Sequence, residues 1–302
     1  MFYYSKFRLY PKSIFLLKLI SKSEDRRVER TLSKMIFLKT SAELEVIRTN
    51  GVILGQAHGE VAKIIKPGVT TKELDKVAYE FIKDNKGHPS FLNYNVSGHK
   101  FPASLCISIN DIVVHGIPSN YQVRDGDIIS IDCGVFKNGF HADSAYTYAI
   151  GNVNPETQRL MRTTKESLML AVEQAVFGKR VGDIGFAIQT YCEKLGFTIV
   201  RELVGHGVGK SLHEKPEVAN YGKRGDGPKL KENMVLAIEP MVNQGKRAIH
   251  QENDNWTIRT QDRKPSAHFE HTVAVKKGTA DILTTFKFIE EAISKSEYLV
   301  NI

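Results

Sequence analysis

The sequence has little cysteine, a single tryptophan and no apolar run of membrane-spanning length. Three cysteines in 302 residues (Cys106, Cys133 and Cys192), none in a C-x-x-C pair, exclude a disulfide framework and a zinc knuckle. Such usage suits a reducing cytosol, and a cytoplasmic protein is expected. The apolar stretch Ile14 to Ile20 is interrupted by Lys18, whereas a span needs about 20 residues. No small-residue cleavage site follows it, so neither a membrane span nor a signal peptide is expected. Apolar residues at 41% and charged residues at 25% exclude a disordered or fibrous chain.

Charge of one sign is also scarce outside the amino terminus. The net charge is +8, and residues 1–34 hold nine Lys/Arg against three Asp/Glu, which leaves only +2 for residues 35–302. A nearly neutral body gives no footprint for DNA, and no DNA partner is expected. Residues 1–34 are read as a basic extension, disordered or upstream of a start at Met35, with membrane-surface contact as the rival reading. Residues 35–302 are read as one catalytic domain.

Within that body, apolar residues recur with helical spacing from Ser41 to about Ile65. A second helix opens at Thr70, with Glu73 three residues on as a capping box, and ends near Gly87. Strand-like runs fill Ser104 to Ile150. Helices are expected over Pro155–Phe177 and Asp183–Leu195, and strand-like runs from Phe197 to the carboxy-terminal region. An offset of 110 residues aligns Gly68 with Gly178 and Glu73 with Asp183. The expected fold class is α+β, with two similar halves whose interface is a natural place for a site.

Three acids interrupt apolar, strand-like runs: Asp132 in DIISIDCGVF, Glu239 in MVLAIEPMV and Glu270 in SAHFEHTVAV. Unpaired ionised carboxylates are costly in such surroundings, so a cation should sit nearby. Three such cases favour a shared metal over three separate salt bridges. Asn138-Gly139 is a two-residue hairpin turn, and the implied register pairs Gly134 with Asp143. Asp143 then becomes the diagonal neighbour of Asp132 on one face, and Gly134 is expected to leave room for an ion.

The segment GHGVGKSLHEKP (205–216) supplies His206 and His213 among glycines. It is not a phosphate loop, a dinucleotide fingerprint or a zinc-protease helix, because Val204, Lys210 and Glu217 stand where those motifs need Gly, Gly and His. Four carboxylates and one imidazole suit a pair of divalent ions such as Mn, Co or Fe(II) better than a structural zinc. Two such ions can acidify one water and polarise a carbonyl, so the residues point to metal-assisted hydrolysis.

The motifs CISINDIVVHGIPS (106–119), IDCGVFKNGFHADSA (131–145), GHGVGKSLHEKP, AIEPMVN (237–243) and NWTIRTQDRKPSAHFEHT (255–272) together resemble type I methionine aminopeptidases. The resemblance spans Met35 to about Glu291. It implies the pita-bread fold shared with X-Pro peptidases and creatine amidinohydrolase, two pseudo-symmetric α+β halves around a curved antiparallel sheet. It also implies two divalent ions (Co, Mn, Fe(II) or Zn), with Asp132 on one, His206 and Glu239 on the other, and Asp143 and Glu270 bridging both. His213 would contact the substrate amide, His115 would stabilise developing charge, and Glu239 would help move the water's proton. The substrate's α-amine would bind the ion held by Asp132. By family position the methionine pocket would comprise Phe91, Tyr94, Phe101, Cys106, Leu212 and Trp256, with leucine at 212 where an aromatic residue is expected. The loop YNVSGHKFP (94–102) is a few residues longer than its counterparts.

The implied activity is removal of initiator methionine from nascent polypeptides near the ribosome by a monomer, with a small second residue preferred. An X-Pro peptidase is a rival on the same fold, although such enzymes usually carry an extra amino-terminal domain. A metal-free binding relative would normally have lost ligands, and all five positions are filled here. His58, His88, His99 and His250 are assigned no role. His141, His268 and His271 lie beside the ligand positions, either in support of them or as plain structure.

Overall fold

Helix α1 (Ser41–Ile64) begins where the Thr40 side chain accepts from the Glu43 amide and the Glu43 carboxylate accepts from that of Thr40. Helix α2 (Thr71–Asp84) repeats this box with Thr70 and Glu73, each box satisfying backbone donors that a helix start leaves free. Helix α3 (Pro155–Val172) starts on an Asn154 cap, and α4 (Val181–Lys194) starts after Arg180. The 110-residue repeat is present at this level. Helices α2 and α4 have 14 residues each, and the Arg180 amide donates to Asp183 as that of Thr70 does to Glu73. Gly68 and Gly178 precede them with φ of +94° and +92°, values that glycine adopts freely.

These features belong to a computed structural model that describes residues 35–302, and the expectations for residues 1–34 lie outside the described residues. Phe37–Ile302 forms one compact unit. Among the described residues no helix is long and apolar enough to cross a membrane.

The strands that matter for the site are β1 (Leu105–Ile109), β2 (Ile128–Lys137), β3 (Phe140–Ile150), β4 (Gly205–Gly207), β5 (Glu214–Val218), β6 (Val235–Ile238), β7 (Met241–Asn243), β8 (Ser266–His268) and β9 (His271–Ala274). Strands β2 and β3 form the expected hairpin around Asn138-Gly139, in the expected register, with Gly134 opposite Asp143 and Asp132 opposite Ala145. Asn138 and Gly139 both take positive φ, as that turn requires. The Asn50 amide, from α1, donates to the carbonyls of Lys137 and Phe140 and closes the turn from outside. Strand β1 pairs with β2, placing Cys106 opposite Asp132. A second sheet runs β5-β4-β6-β9, and β7 pairs with β8 in a third. All these pairings are antiparallel, and the architecture is α+β.

Four expectations need correction. Glu239 and Glu270 do not lie within continuous strands: each sits in a break, between β6 and β7 and between β8 and β9. Pro240 has no N–H to give a ladder, so the ladder is interrupted there. Helix α3 ends at Val172 rather than Phe177, because Val176 bridges to Lys276 and Phe177 donates to the Lys276 carbonyl. The region after Phe197 is not wholly strand-like, since α5 (Lys287–Ile293) buries Ile289, Ala292 and Ile293. Gly134 leaves no room for an ion. A Cβ there would lie 2.6 Å from Ser90 Cβ and 3.2 Å from the Phe91 ring, so the space belongs to the pocket wall.

Candidate active site

Each acid is positioned by a different piece of the sheets. Asp132 and Asp143 come from the β2–β3 hairpin on one face, as the alternation of strands requires. Glu239 and Glu270 come from the two breaks. The register of β6 with β9 (Ile238 opposite His271) continues unchanged into β7 with β8 (Met241 opposite His268), which sets Glu239 directly opposite Glu270. His206 lies on β4 opposite Ala237, two residues before Glu239. Gly205 beside it is needed for this approach, because a Cβ there would fall 2.4 Å from the Ala237 carbonyl oxygen.

Hydrogen bonds join these pieces. Ser144 Oγ donates to the Glu270 carbonyl (2.8 Å), and the Glu270 amide donates to the Ala145 carbonyl (2.9 Å). The Asp143 amide donates to Thr272 Oγ1 (3.0 Å), whose hydroxyl donates back to the Asp143 carbonyl (2.7 Å). The hairpin is thereby fixed against the segment that carries Glu270.

The result is a cluster of side chains short of partners. Ligand atoms of Asp143, His206 and Glu270 lie within 4.8 Å of one another, and all three residues are buried. His206 Nε2 is 3.5 Å from Glu239 Oε1. His206 Nδ1 lies 3.0 Å from the Gly207 carbonyl, to which it donates, leaving the Nε2 lone pair free for a ligand. Asp132 Oδ1, Asp143 Oδ1 and Glu270 Oε1 are buried and without a protein partner.

Burial pushes the carboxyl groups of Asp132, Asp143, Glu239 and Glu270 up, and the nearby charge of Asp143 adds to this at the other three. Burial holds His206 down at about 3, a neutral imidazole. Four crowded acids with orphaned oxygens need either protons or a cation. The oxygen-rich donor set with one neutral imidazole fits divalent metal.

Next to the acids lies an apolar wall. Phe91, Phe101, Ala103, Cys106 and Leu212 form one buried cluster, against which Tyr94, Ile117 and Trp256 pack. Phe101 and Trp256 meet edge to face at 5.2 Å. Two histidines stand between wall and acids. His213 lies 4.2 Å from His206, centroid to centroid, and its Nδ1 is 2.6 Å from the Tyr94 hydroxyl. His115, with a φ of +58°, approaches Trp256 edge-on; such a backbone costs energy and is kept where side-chain direction matters. Burial lowers His115 to about 4.

One cavity of about 350 Å³ is lined by all thirteen residues singled out in the sequence. Its lining also includes Glu202, Leu203, Val204, Val114 and Met241, to which sequence reasoning assigned no place in the site. Val204 and Met241 flank His206 and Glu239 closely enough for motif position to have found them, whereas Glu202 carries no such signal. His58, buried against Tyr148 and the Ser144 carbonyl, lies outside this lining, and so do His88, His99 and His250. His268 Nε2 sits 3.7 Å from Glu239 Oε2. The 94–102 loop folds as a small hairpin, Asn95–Val96 with His99–Lys100, whose Val96 reaches the cavity.

A profile of metallopeptidase family M24 matches residues 45–277. The methionine aminopeptidase 1 of Bacillus subtilis is 50% identical over 250 residues, covering 83% of this chain and 99% of the relative. The chain belongs to the methionine aminopeptidases of family M24. It is a metal-dependent aminopeptidase, and the family accounts for the acid cluster as a site for divalent metal. The crystal structure of methionine aminopeptidase from Rickettsia prowazekii superposes with a TM-score of 0.80 at 37% identity, covering 83% of this chain and 100% of that one. The prolidase from Pyrococcus horikoshii has a TM-score of 0.68 at 21% identity, over 85% of this chain and 66% of that one, a likeness of fold alone.

Proposed function

We propose that this protein removes the initiator methionine from nascent polypeptides, prefers a small second residue, and works as a cytoplasmic monomer close to the ribosome. The catalytic domain is residues 35–302. The observation that carries the reading is the single cavity with an apolar, partly aromatic wall and an acid–imidazole cluster side by side. A flexible thioether suits such a wall.

Asp132, Asp143, His206, Glu239 and Glu270 would hold two divalent ions (Co, Mn, Fe(II) or Zn). When bound, these ions supply a Lewis acid and lower the pKa of a water. Around them the chain's own groups act. Glu239 would accept the water's proton and return it to the leaving amine. The Tyr94 hydroxyl lies 2.6 Å from His213 Nδ1; with that hydroxyl donating, the proton of the neutral ring would sit on Nε2, which could donate to the scissile amide's oxygen. His115, held by its unusual backbone, adds a second polar contact as charge develops. Phe91, Phe101, Cys106, Leu212 and Trp256 receive the side chain, and leucine at 212 leaves that wall less aromatic.

The test is methionine release from Met-Ala-Ser and from a proline-containing control, using metal-stripped protein with Mn, Co, Fe(II) or Zn added singly. Metal-dependent release from Met-Ala-Ser alone is expected, and Asp143→Ala should abolish both release and tight metal binding. A folded protein that releases nothing with any metal overturns the proposal.

A further inference from the structure

Lys39 and Glu214, 175 residues apart, form an ion pair almost sealed from solvent. Nζ and Oε2 are 2.6 Å apart, with the side chains 5% and 8% exposed. Every other Lys or Arg ion pair among the described residues leaves both side chains at least 17% exposed. Sealing two charges is a poor way to gain stability, because desolvation offsets most of the attraction. The position of this pair therefore asks for another explanation.

Glu214 directly follows His213. Its second oxygen, Oε1, accepts from the Ser211 amide (3.3 Å). The Gly209 amide donates to the Ser211 carbonyl (3.1 Å), and the Gly209 carbonyl accepts from the His141 amide (2.8 Å). A Cβ on Gly209 would lie 2.3 Å from Glu214 Oε1 and 2.6 Å from Lys39 Nζ. The ion pair is thus packed under the 209–213 turn, which presents Leu212 and His213 to the cavity. Lys39 itself is fixed: its amide donates to the Asn233 carbonyl (2.9 Å), and Nζ also donates to the Phe37 carbonyl (3.3 Å). The next residue, Thr40, caps α1.

We propose that Lys39 is a positioning residue for the reaction: it holds the Glu214 carboxylate under the 209–213 turn, and the turn in turn aims His213 and Leu212 into the cavity. Lys39 does not line the cavity. Without it the Glu214 carboxylate would be charged, buried and unpaired, and would swing toward water, releasing the Ser211 amide. The inference rests on the aminopeptidase reading, so its test includes a measurement independent of turnover.

Lys39→Met and the double variant Lys39→Met/Glu214→Leu are compared with wild type in three measurements: thermal unfolding, steady-state methionine release from Met-Ala-Ser with Mn, and amide hydrogen exchange. Lys39→Met should be less stable. The double variant, with no charge left unpaired, should recover most of that stability. Turnover should not recover with it: kcat should stay at least tenfold below wild type in both, with KM changed less than threefold. Exchange in a peptide covering 209–214 should quicken at least tenfold in both, while the β2–β3 hairpin exchanges as in wild type. Recovery of kcat together with stability in the double variant, or exchange that quickens evenly over the whole chain, overturns the proposal. If wild type releases no methionine, the aminopeptidase reading fails on its own, and the exchange pattern alone decides whether Lys39 holds the turn.

Discussion

His58 is fully buried on α1, with Nε2 donating to the Ser144 carbonyl (3.1 Å) and Nδ1 facing the Tyr148 hydroxyl (3.3 Å). Both ring nitrogens are engaged and no acid compensates a charge, so burial lowers the group from 6.5 to about 4. Between these values the unfolded chain takes up a proton that the folded chain refuses, so stability falls as pH drops through that window. His58→Gln removes one such proton. Over this range, wild type should lose about 1.4 kcal/mol more per pH unit than the variant. Urea unfolding of both proteins at several pH values measures the difference, and equal slopes would contradict it. The buried His271, against Thr284 and Phe286, adds to the slope of both proteins alike.

At the scale of elements, the packing of α5 depends on glycines spaced by four along α1, which places them on one face of that helix. A Cβ on Gly51 would lie 2.1 Å from the Leu283 carbonyl oxygen, one on Gly55 2.8 Å from that of Thr285, and one on Gly59 2.9 Å from Phe288 Cβ. These contacts are to backbone or to the root of a side chain, so they cannot move aside cheaply. Gly55→Leu should lower stability by about 1–3 kcal/mol, the usual cost of overpacking, with the m-value unchanged. Val52→Ala, at an exposed position of the same helix, should stay within about 0.5 kcal/mol of wild type. Chemical denaturation of the two variants distinguishes a close-packed face from a tolerant one.

At the scale of the molecule, the four acids join strands from three sheets at one point, and without a cation their repulsion opposes that assembly. Their folded pKa values are raised above the ordinary 3.8 to 4.5. The metal-free fold therefore holds more protons than the unfolded chain, and its stability declines as pH rises above that range. A bound cation replaces those protons, and it also stabilises by binding the folded state alone. Chelation should lower the melting temperature, and by more at pH 8 than at pH 6.5. Calorimetry with and without chelator at the two values tests this; a loss that shrinks with pH would count against a cation at the cluster.

The sequence by itself determined what short-range chemistry controls. Thr70 with Glu73 opens α2 because a helix start satisfies its donors within four residues, and the alignment of Glu73 with Asp183 located α4, which starts at Val181, two residues before the expected Asp183. Asn138-Gly139 specifies the β2–β3 register because a two-residue turn leaves one pairing, and that register already brought Asp132 and Asp143 together. The motifs around His115, His206, His213, Glu239 and Glu270 named residues that share one cavity, although nothing local showed how they would meet. Only the tertiary structure decided that Glu239 stands opposite Glu270, since this depends on two broken strands paired across a long excursion of chain. It likewise decided that Ser90 and Phe91 fill the space beside Gly134 and that Lys39 lies beneath the turn before Glu214. Such neighbours are chosen by shape and charge among segments far apart in the chain. Turn and cap preferences reach only a few residues and carry no record of them.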